Sequence, residues 1–366
     1  MPSPSLDNLL TPTLLLDVDR MQSNIQAMQA VCDAHGVDLR PHIKTHKMIE
    51  AGRHQLAAGA KGFVSAKLSE AEALLPSGVR SVFIAHSLVG AAQAPRLRKL
   101  AESLDELIVA CTSEAHAVAL EELLAAADLR LPVMMAVDTG MGREGARGLD
   151  GAIRLAQLIQ KQPHLNLYGL YTHEGHIYST PVEEADRAIA EVHRRLLELR
   201  DAIQKSTAAP LQLWPGCSAS ATRMAALPGV HAVRPGAYIF GDLSHADTTQ
   251  VMQWDQMAVT ILATVIDHAE PGLALIDAGS KMFSSDRTPL GLAGRSLDQR
   301  DLKVMRCSEE HGFLTGEDVP NLKIGERLRM VPAHICTVIN LANSITVISN
   351  DEVVDQWKID ARGCVQ

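Results

Sequence analysis

The side chains able to do chemistry collect at a few places along the chain. Arg40-Pro41-His42-Ile43-Lys44-Thr45-His46-Lys47 sets an amine, Lys44, among imidazoles. Asp138-Thr139-Gly140-Met141-Gly142-Arg143 follows one apolar run, and Thr172 to Tyr178, carrying His173, His176 and Tyr178, follows another. Gly216-Cys217-Ser218-Ala219-Ser220 and Arg234-Pro235-Gly236-Ala237-Tyr238 are small or hydroxylated turns of the kind whose backbone N–H groups approach a phosphate where a helix begins. Far downstream, His334 and Cys336 stand two apart in Pro332-Ala333-His334-Ile335-Cys336-Thr337. On a β segment both would leave the same face and offer imidazole and thiolate to a soft divalent metal, zinc above others. A lone HxC is also how a buried structural pair looks, and an arbitrary loop lysine is usually a solvated charge.

The elements that must position these groups are legible as a pattern. Short apolar, β-branched runs at Val37 to Pro41, Phe63 to Ala66, Ser81 to His86, Glu106 to Cys111, Pro132 to Asp138, Leu165 to Thr172, Leu211 to Gly216 and Val230 to Pro235 alternate with helical stretches such as Asp19 to His35 and Val182 to Lys205. That alternation builds parallel βα units, and eight of them predict a closed (β/α)8 TIM-type barrel. Each reactive cluster then falls where a strand ends, the rim at which such barrels place their chemistry. Beyond about residue 245 the pattern changes to β-branched runs separated by Gly, Asp and Asn turns, with a hairpin expected at Asn350-Asp351. The expected organisation is a barrel over residues 10–245 and a mainly β domain over residues 246–366, joined by the first few residues.

Lys44 at the barrel mouth, with partial burial and cations nearby, would offer its amine for Schiff-base chemistry. A phosphate site opposite an imine-forming lysine implies pyridoxal phosphate, with Arg143 placed to face its ring nitrogen. Composition narrows the field further. The 366 residues are 46% hydrophobic and 21% charged, as in ordinary globular proteins, and the net charge of −9 provides no basic field for nucleic acid. Aromatics at 3% leave few stacking platforms for single strands. No secretory signal and no apolar run long enough to cross a bilayer is read, so no membrane partner is expected. Six scattered cysteines without CxxC spacing suit reduced thiols, and a cytoplasmic location is expected.

Taken in this order, the RPHxKTHK element, the strand-end turns, Asp277-Ala278-Gly279, Glu310-His311-Gly312 and the late HxC resemble the D-threonine aldolase and D-serine dehydratase family. Its members are pyridoxal-phosphate enzymes with an alanine-racemase-like barrel followed by a β domain. The resemblance covers nearly the whole chain. It implies that Lys44 carries the cofactor as an imine and that Arg143 contacts the pyridine ring. Gly216, Ser218, Gly236 and Tyr238 would surround the phosphate, with His42 and Tyr178 also bordering the cofactor. His334 and Cys336 would hold a divalent metal (zinc, manganese or magnesium) beside the substrate β-hydroxyl, and Lys44, His173, His176 and Tyr178 would be the catalytic groups. It further implies a homodimer.

Two branches of that family compete. Trp357 to Gly363, Val331-Pro332 and Asn340-Leu341 look like the aldolase branch, whereas Cys336 stands where aldolases usually have aspartate and Thr172 to Tyr178 is closer to the dehydratase pattern. The expectation is a lyase of β-hydroxy D-amino acids: retro-aldol cleavage to glycine and an aldehyde ahead of β-elimination to a 2-oxo acid and ammonia. A reading from another class is a metal-dependent barrel hydrolase with His42, His46, His173 and His176 as ligands.

Overall fold

The computed structural model describes residues 6–366. The chain enters through strand β1 (Thr13–Asp17) and helix α1 (Val18–His35), then runs through alternating short strands and helices. Contacts divide it into two units. One is built from the chain up to Gln26, Thr45–Glu50 and Ala237–Gly363, and the other from Ala27–Lys44, Ala51–Gly236 and Cys364–Gln366.

The second of these is the barrel. Its strands are β2 (Asp38–Leu39), β3 (Phe63–Ser65), β4 (Ser81–Ile84), β5 (Glu106–Cys111), β6 (Leu131–Ala136), β7 (Leu165–Tyr171), β8 (Gln212–Trp214) and β9 (Ala232–Val233). β3 to β8 form one parallel sheet in sequence order, and β2 pairs in parallel with β9. The cylinder closes through Ile43 N donating to Val64 O at 2.9 Å on one side and His231 N to Leu213 O at 3.0 Å on the other. The strands are unbroken apolar runs because a parallel sheet under helices is buried on both faces. Inside, Val64, Phe83, Ile108, Met134, Tyr171 and Trp214 form one cluster, with the Phe83 ring edge-on to Tyr171 at 5.1 Å and to Trp214 at 5.7 Å. The strands are shorter than the sequence runs: the first is two residues, since Pro41, lacking an N–H, cannot extend its donor ladder.

The other unit is a nine-stranded sheet made by β1 with β10 (Val259–Glu270), β11 (Leu273–Ile276), β12 (Gly294–Ser296), β13 (Lys303–Cys307), β14 (Gly312–Thr315), β15 (Arg327–Pro332), β16 (Ser344–Ser349) and β17 (Glu352–Lys358). β10 pairs with β1 and β15 and, past a bulge after Val265, with β11. The expected hairpin at Asn350-Asp351 joins β16 to β17, and both residues take the left-handed conformation (φ 50° and 61°) that a two-residue turn of this twist requires.

Candidate active site

Lys44 sits in the turn that follows β2 and is exposed, not partly buried as the sequence suggested, because the turn carries it past the strand end. Its backbone N–H points at His42 Nδ1 at 3.5 Å. After β6, Asp138 is half-buried and its Oδ1 gathers the N–H groups of Gly140 (3.0 Å) and Gly142 (3.1 Å), while Arg147 pairs with Oδ2 at 3.2 Å. These bonds hold a loop on which half-exposed Arg143 pairs with Glu144 at 3.2 Å. Arg143 shares a shallow recess with Tyr171, Thr172 and His173 at the ends of β6 and β7.

His173 is the most perturbed base there. Its Nδ1 bonds the Gly216 carbonyl at 2.8 Å, which makes Nδ1 the protonated nitrogen of the neutral ring and leaves the lone pair on Nε2. Burial pushes its pKa down to about 4, and the charges of Lys44, Arg143 and Arg234 push the same way against the Gly216 bond. A side chain at Gly175 would come within 3.0 Å of Nε2, so glycine there keeps that nitrogen open. His176 occupies the following 3-10 turn with Tyr178, but its surroundings are different. A Cβ on Gly140 would lie 3.2 Å from its ring, its Nδ1 is buried without a hydrogen-bond partner, and its pKa is lowered by burial and Arg195 against Asp138. The charges acting on His173 are those of Lys44, Arg143 and Arg234, whereas those acting on His176 are Asp138 and Arg195, so the two candidate bases sit in different surroundings.

Two residues given no role from the sequence hold this rim together. Glu174, fully buried, accepts from Gly216 N (3.1 Å) and Ser220 Oγ (2.6 Å), and burial raises its pKa against those bonds and Arg234. Arg234 is buried inside the barrel, donating through Nε to Trp214 O at 3.0 Å and also to Thr172 O, and lies 5.2 Å over the Tyr171 ring. Beside Gly216 there is room only for hydrogen, since a Cβ would sit 2.7 Å from Arg234 Cβ. Ser218 Oγ accepts from Gly236 N at 3.2 Å, and Tyr238 is buried in the turn Ala237–Ile239. A buried charge leaves no periodic mark on a sequence, which is why only the surrounding turns were readable.

The rim therefore combines a free-standing amine with two guanidinium groups, a neutral imidazole and a Ser/Gly turn. Tyr171 Oη, on the wall of the recess, is buried and has no hydrogen-bond partner, so a bound polar group would satisfy it. This set fits an anionic aldehyde such as pyridoxal phosphate: an amine to bond the carbonyl, and cations and amides for phosphate and phenolate oxygens.

His334 and Cys336 lie close in space, but not by strand alternation. β15 ends at Pro332; along the chain come the helices α2 (Ile49–Ala58), α3 (Leu68–Leu74), α4 (Ala94–Glu102), α5 (Glu114–Ala127), α6 (Gly148–Lys161), α7 (Ala185–Thr207), α8 (Ala221–Ala225) and α9 (Ser280–Phe283), and His334 is the extended residue before the next, α10. α10 spans Ile335–Leu341, so Cys336 is in its first turn. A hydrogen bond to Cys336 is the largest cause raising the His334 pKa to about 9, with the charges of Cys336 and Asp242 and the Asp286 bond adding to it against burial. Asp286 Oδ2 meets His334 Nδ1 at 2.8 Å, and Cys336 Sγ lies 3.1 Å from Thr45 Oγ1. Asp242, buried and bonded to His245 Nδ1 at 2.6 Å, anchors the Ile335 N–H at 3.0 Å. The chemistry fits a cation, with two protein ligands only: among the described residues no three His, Cys, Asp or Glu side chains form a metal-holding group. That also removes the four-histidine set of the hydrolase reading, in which His46 is fully buried.

Comparison with known proteins bears on the family and the fold. Residues 16–244 match the alanine racemase N-terminal domain, and residues 258–348 match a serine dehydratase domain. The chain is 31% identical to the D-threonine aldolase of Arthrobacter sp. over 99% of this chain and 95% of that one. It is 32% identical to the D-threo-3-hydroxyaspartate dehydratase of Delftia sp. (strain HT23), covering 97% of this chain and 98% of that one. Solved structures of that dehydratase include a histidine-to-alanine mutant and a cysteine-to-alanine mutant in the metal-free form, the latter superposing with a TM-score of 0.87 at 28% identity over 97% and 98% of the two chains. The crystal structure of D-threonine aldolase from Filomicrobium marinum superposes with a TM-score of 0.91 at 26% identity, over 100% of this chain and 99% of that one. The chain belongs to the alanine-racemase-like family of fold type III pyridoxal-phosphate enzymes, in the group whose barrel is followed by a serine dehydratase domain.

Proposed function

We propose that the protein is a pyridoxal-phosphate- and divalent-metal-dependent lyase of β-hydroxy D-amino acids, acting as an aldolase that releases glycine and an aldehyde. The observation that carries this reading is His173, whose Nδ1 is held by the Gly216 carbonyl at 2.8 Å so that Nε2 is left open in a recess it shares with Arg143. Lys44 is the residue to hold the cofactor, Arg143 to sit against its ring, and the Ser218 and Gly236 turns to receive its phosphate, with Tyr238, His42 and Tyr178 bordering it. Bound there, pyridoxal phosphate supplies an electron sink for the pair released when a bond to Cα breaks.

His173 then takes the proton of the substrate β-hydroxyl on Nε2 while Gly216 O keeps the ring oriented through Nδ1. An uncharged base is what this step needs, and burial together with neighbouring cations keeps it uncharged. His334 and Cys336 are the residues to hold the metal, whose charge lowers the cost of removing that proton. The relatives' names support the substrate class, being a D-threonine aldolase and a D-threo-3-hydroxyaspartate dehydratase.

A second reading rests on Cys336. The mutated histidine and cysteine of the Delftia dehydratase are two apart, as His334 and Cys336 are, and the cysteine mutant is metal-free. Under that reading Lys44 removes the Cα proton and the β-hydroxyl leaves as water. Incubating the purified protein with D-threonine, D-serine and D-3-hydroxyaspartate plus added metals separates the two. Aldehyde with glycine supports the aldolase, 2-oxo acid with ammonia the dehydratase, and neither product from any of the three overturns the proposal. A homodimeric working form and a cytoplasmic location complete it; none of the six cysteines is in a disulfide, which suits a reducing compartment.

A further inference from the structure

Ser284 is the most unusual backbone position near the metal pair. At φ 67° and ψ −172° it occupies a region that is essentially reserved for glycine and costs about 1–3 kcal/mol for a residue with a side chain. Yet it is serine, and it is buried. Its hydroxyl explains what the strain is used for. Asp286 N donates to Ser284 Oγ at 3.2 Å, Ser284 Oγ lies 3.0 Å from Thr337 Oγ1, and Thr337 Oγ1 donates to Asp286 Oδ2 at 2.9 Å.

The directions of these bonds are mutually determined. The Asp286 carboxylate can only accept, so with the Thr337 proton given to Oδ2 it is the Ser284 hydroxyl, itself accepting from the Asp286 amide, that donates to Thr337 Oγ1. The ring returns to Asp286 with Oδ2 as an acceptor, and that same oxygen meets His334 Nδ1 at 2.8 Å. His334 therefore donates from Nδ1, which leaves Nε2 as the nitrogen that would face a metal in place of its own proton. Thr337 also lies within 3.1 Å of the His334 carbonyl, so ring and ligand share a single turn.

We propose that Asp286, held by the Ser284–Thr337 hydroxyl pair, is a positioning residue that sets the affinity of the His334–Cys336 pair for a divalent cation, and that the strain at Ser284 is retained for this purpose. The inference rests on the metal reading above. A carboxylate on the distal nitrogen of a metal-bound histidine orients the ring and makes it a better donor, and its loss usually weakens binding by ~10–100-fold.

The test uses cofactor-loaded protein stripped of metal, titrated with Zn²⁺ against a chromophoric chelator. Asp286→Asn is expected to weaken Zn²⁺ binding by ~10–100-fold with the cofactor absorbance unchanged. Ser284→Gly is the discriminating variant: it relieves the backbone while removing the hydroxyl, so its Tm should rise while its Zn²⁺ affinity falls several-fold. Thr337→Val, which keeps the side-chain volume, should also weaken binding. Unchanged affinity in Asp286→Asn, or a Ser284→Gly protein that is less stable and binds normally, overturns the proposal. If Asp286→Asn does not fold, the Ser284→Gly and Thr337→Val titrations decide it. If wild type binds Zn²⁺ no better than Cys336→Ala, the metal reading falls and this inference with it, whereas tight wild-type binding with an indifferent Asp286→Asn sinks the inference alone.

Discussion

Ser220 Oγ donates to Glu174 Oε1 at 2.6 Å, and neither residue is exposed beyond 1%. The other oxygen of the same carboxyl receives the Gly216 N–H, and the Gly216 carbonyl in turn receives His173 Nδ1. The candidate base and the Ser/Gly turn are thus cross-linked by one buried side chain, so the position of the imidazole is tied to that of the turn proposed for the phosphate.

Glu174→Ala strands the Gly216 N–H and the Ser220 hydroxyl in a dry interior and removes an opposite charge from buried Arg234. Each orphaned group costs about 1–3 kcal/mol, so a loss of roughly 2–5 kcal/mol is expected in urea unfolding. Looser cofactor retention should accompany it. A variant with wild-type stability would show that the cross-link carries no load.

Lys44→Ala should yield protein with wild-type circular dichroism and no visible absorbance that borohydride can bleach, and no turnover of any β-hydroxy D-amino acid. Because Lys44 is exposed and its side chain carries no packing, stability should change little. A retained, bleachable chromophore would move the cofactor attachment to another amine.

His173→Gln should keep the chromophore and lower kcat by ~10²–10⁴-fold, the usual worth of a positioned base. His176→Gln should cost much less, since His176 is placed against Gly140 of the β6 loop. Equal losses in the two would end the distinction drawn between them.

Acidification of the cofactor-free protein has a definite sign. An unperturbed imidazole titrates near 6.5 and His173 in the folded chain at about 4, so the unfolded chain takes up this proton first. The stability contributed by the neutral ring is therefore complete above about 6.5 and is lost progressively as pH falls from there to about 4. NMR titration of the His173 ring in folded apoprotein should show no protonation until the lower end of that window; a midpoint near 6.5 contradicts the burial argument.

Chelation, or Cys336→Ala, should abolish or sharply reduce turnover while leaving the absorbance band in place, because thiolate and cofactor amine are different ligands for different groups. Added Zn²⁺ or Mn²⁺ should restore the chelated wild type and not the variant. Full activity after metal removal would leave the pair a structural one.

Much of the barrel could be read in advance because parallel strands buried on both faces write themselves as unbroken apolar runs, as in Val133 to Val137, and because the residue after each run is polar where the rim does chemistry. The candidate metal pair was legible for the wrong reason: HxC suggested strand alternation, whereas His334 precedes a helix that begins at once. What could not be read are the groups whose importance depends on long-range closure. Glu174 is a lone carboxylate in the sequence, Arg234 one cation in a turn, and Asp286 lies far along the chain from His334 until tertiary structure pairs them. Likewise, no residue type announces the strained backbone of Ser284.

The sheet that houses β1 joins segments far apart along the chain: Thr13 pairs with Leu262 and Leu15 with Thr346. On the ribosome, β1 emerges with neither neighbour yet made, and its Leu-Leu-Leu run must stay without those partners through synthesis of the whole barrel. Such non-local pairing slows folding and leaves a sticky segment open meanwhile. Nascent chains stalled before Thr346 should therefore be the ones that bind holdase chaperones and aggregate, however complete their cylinder already is.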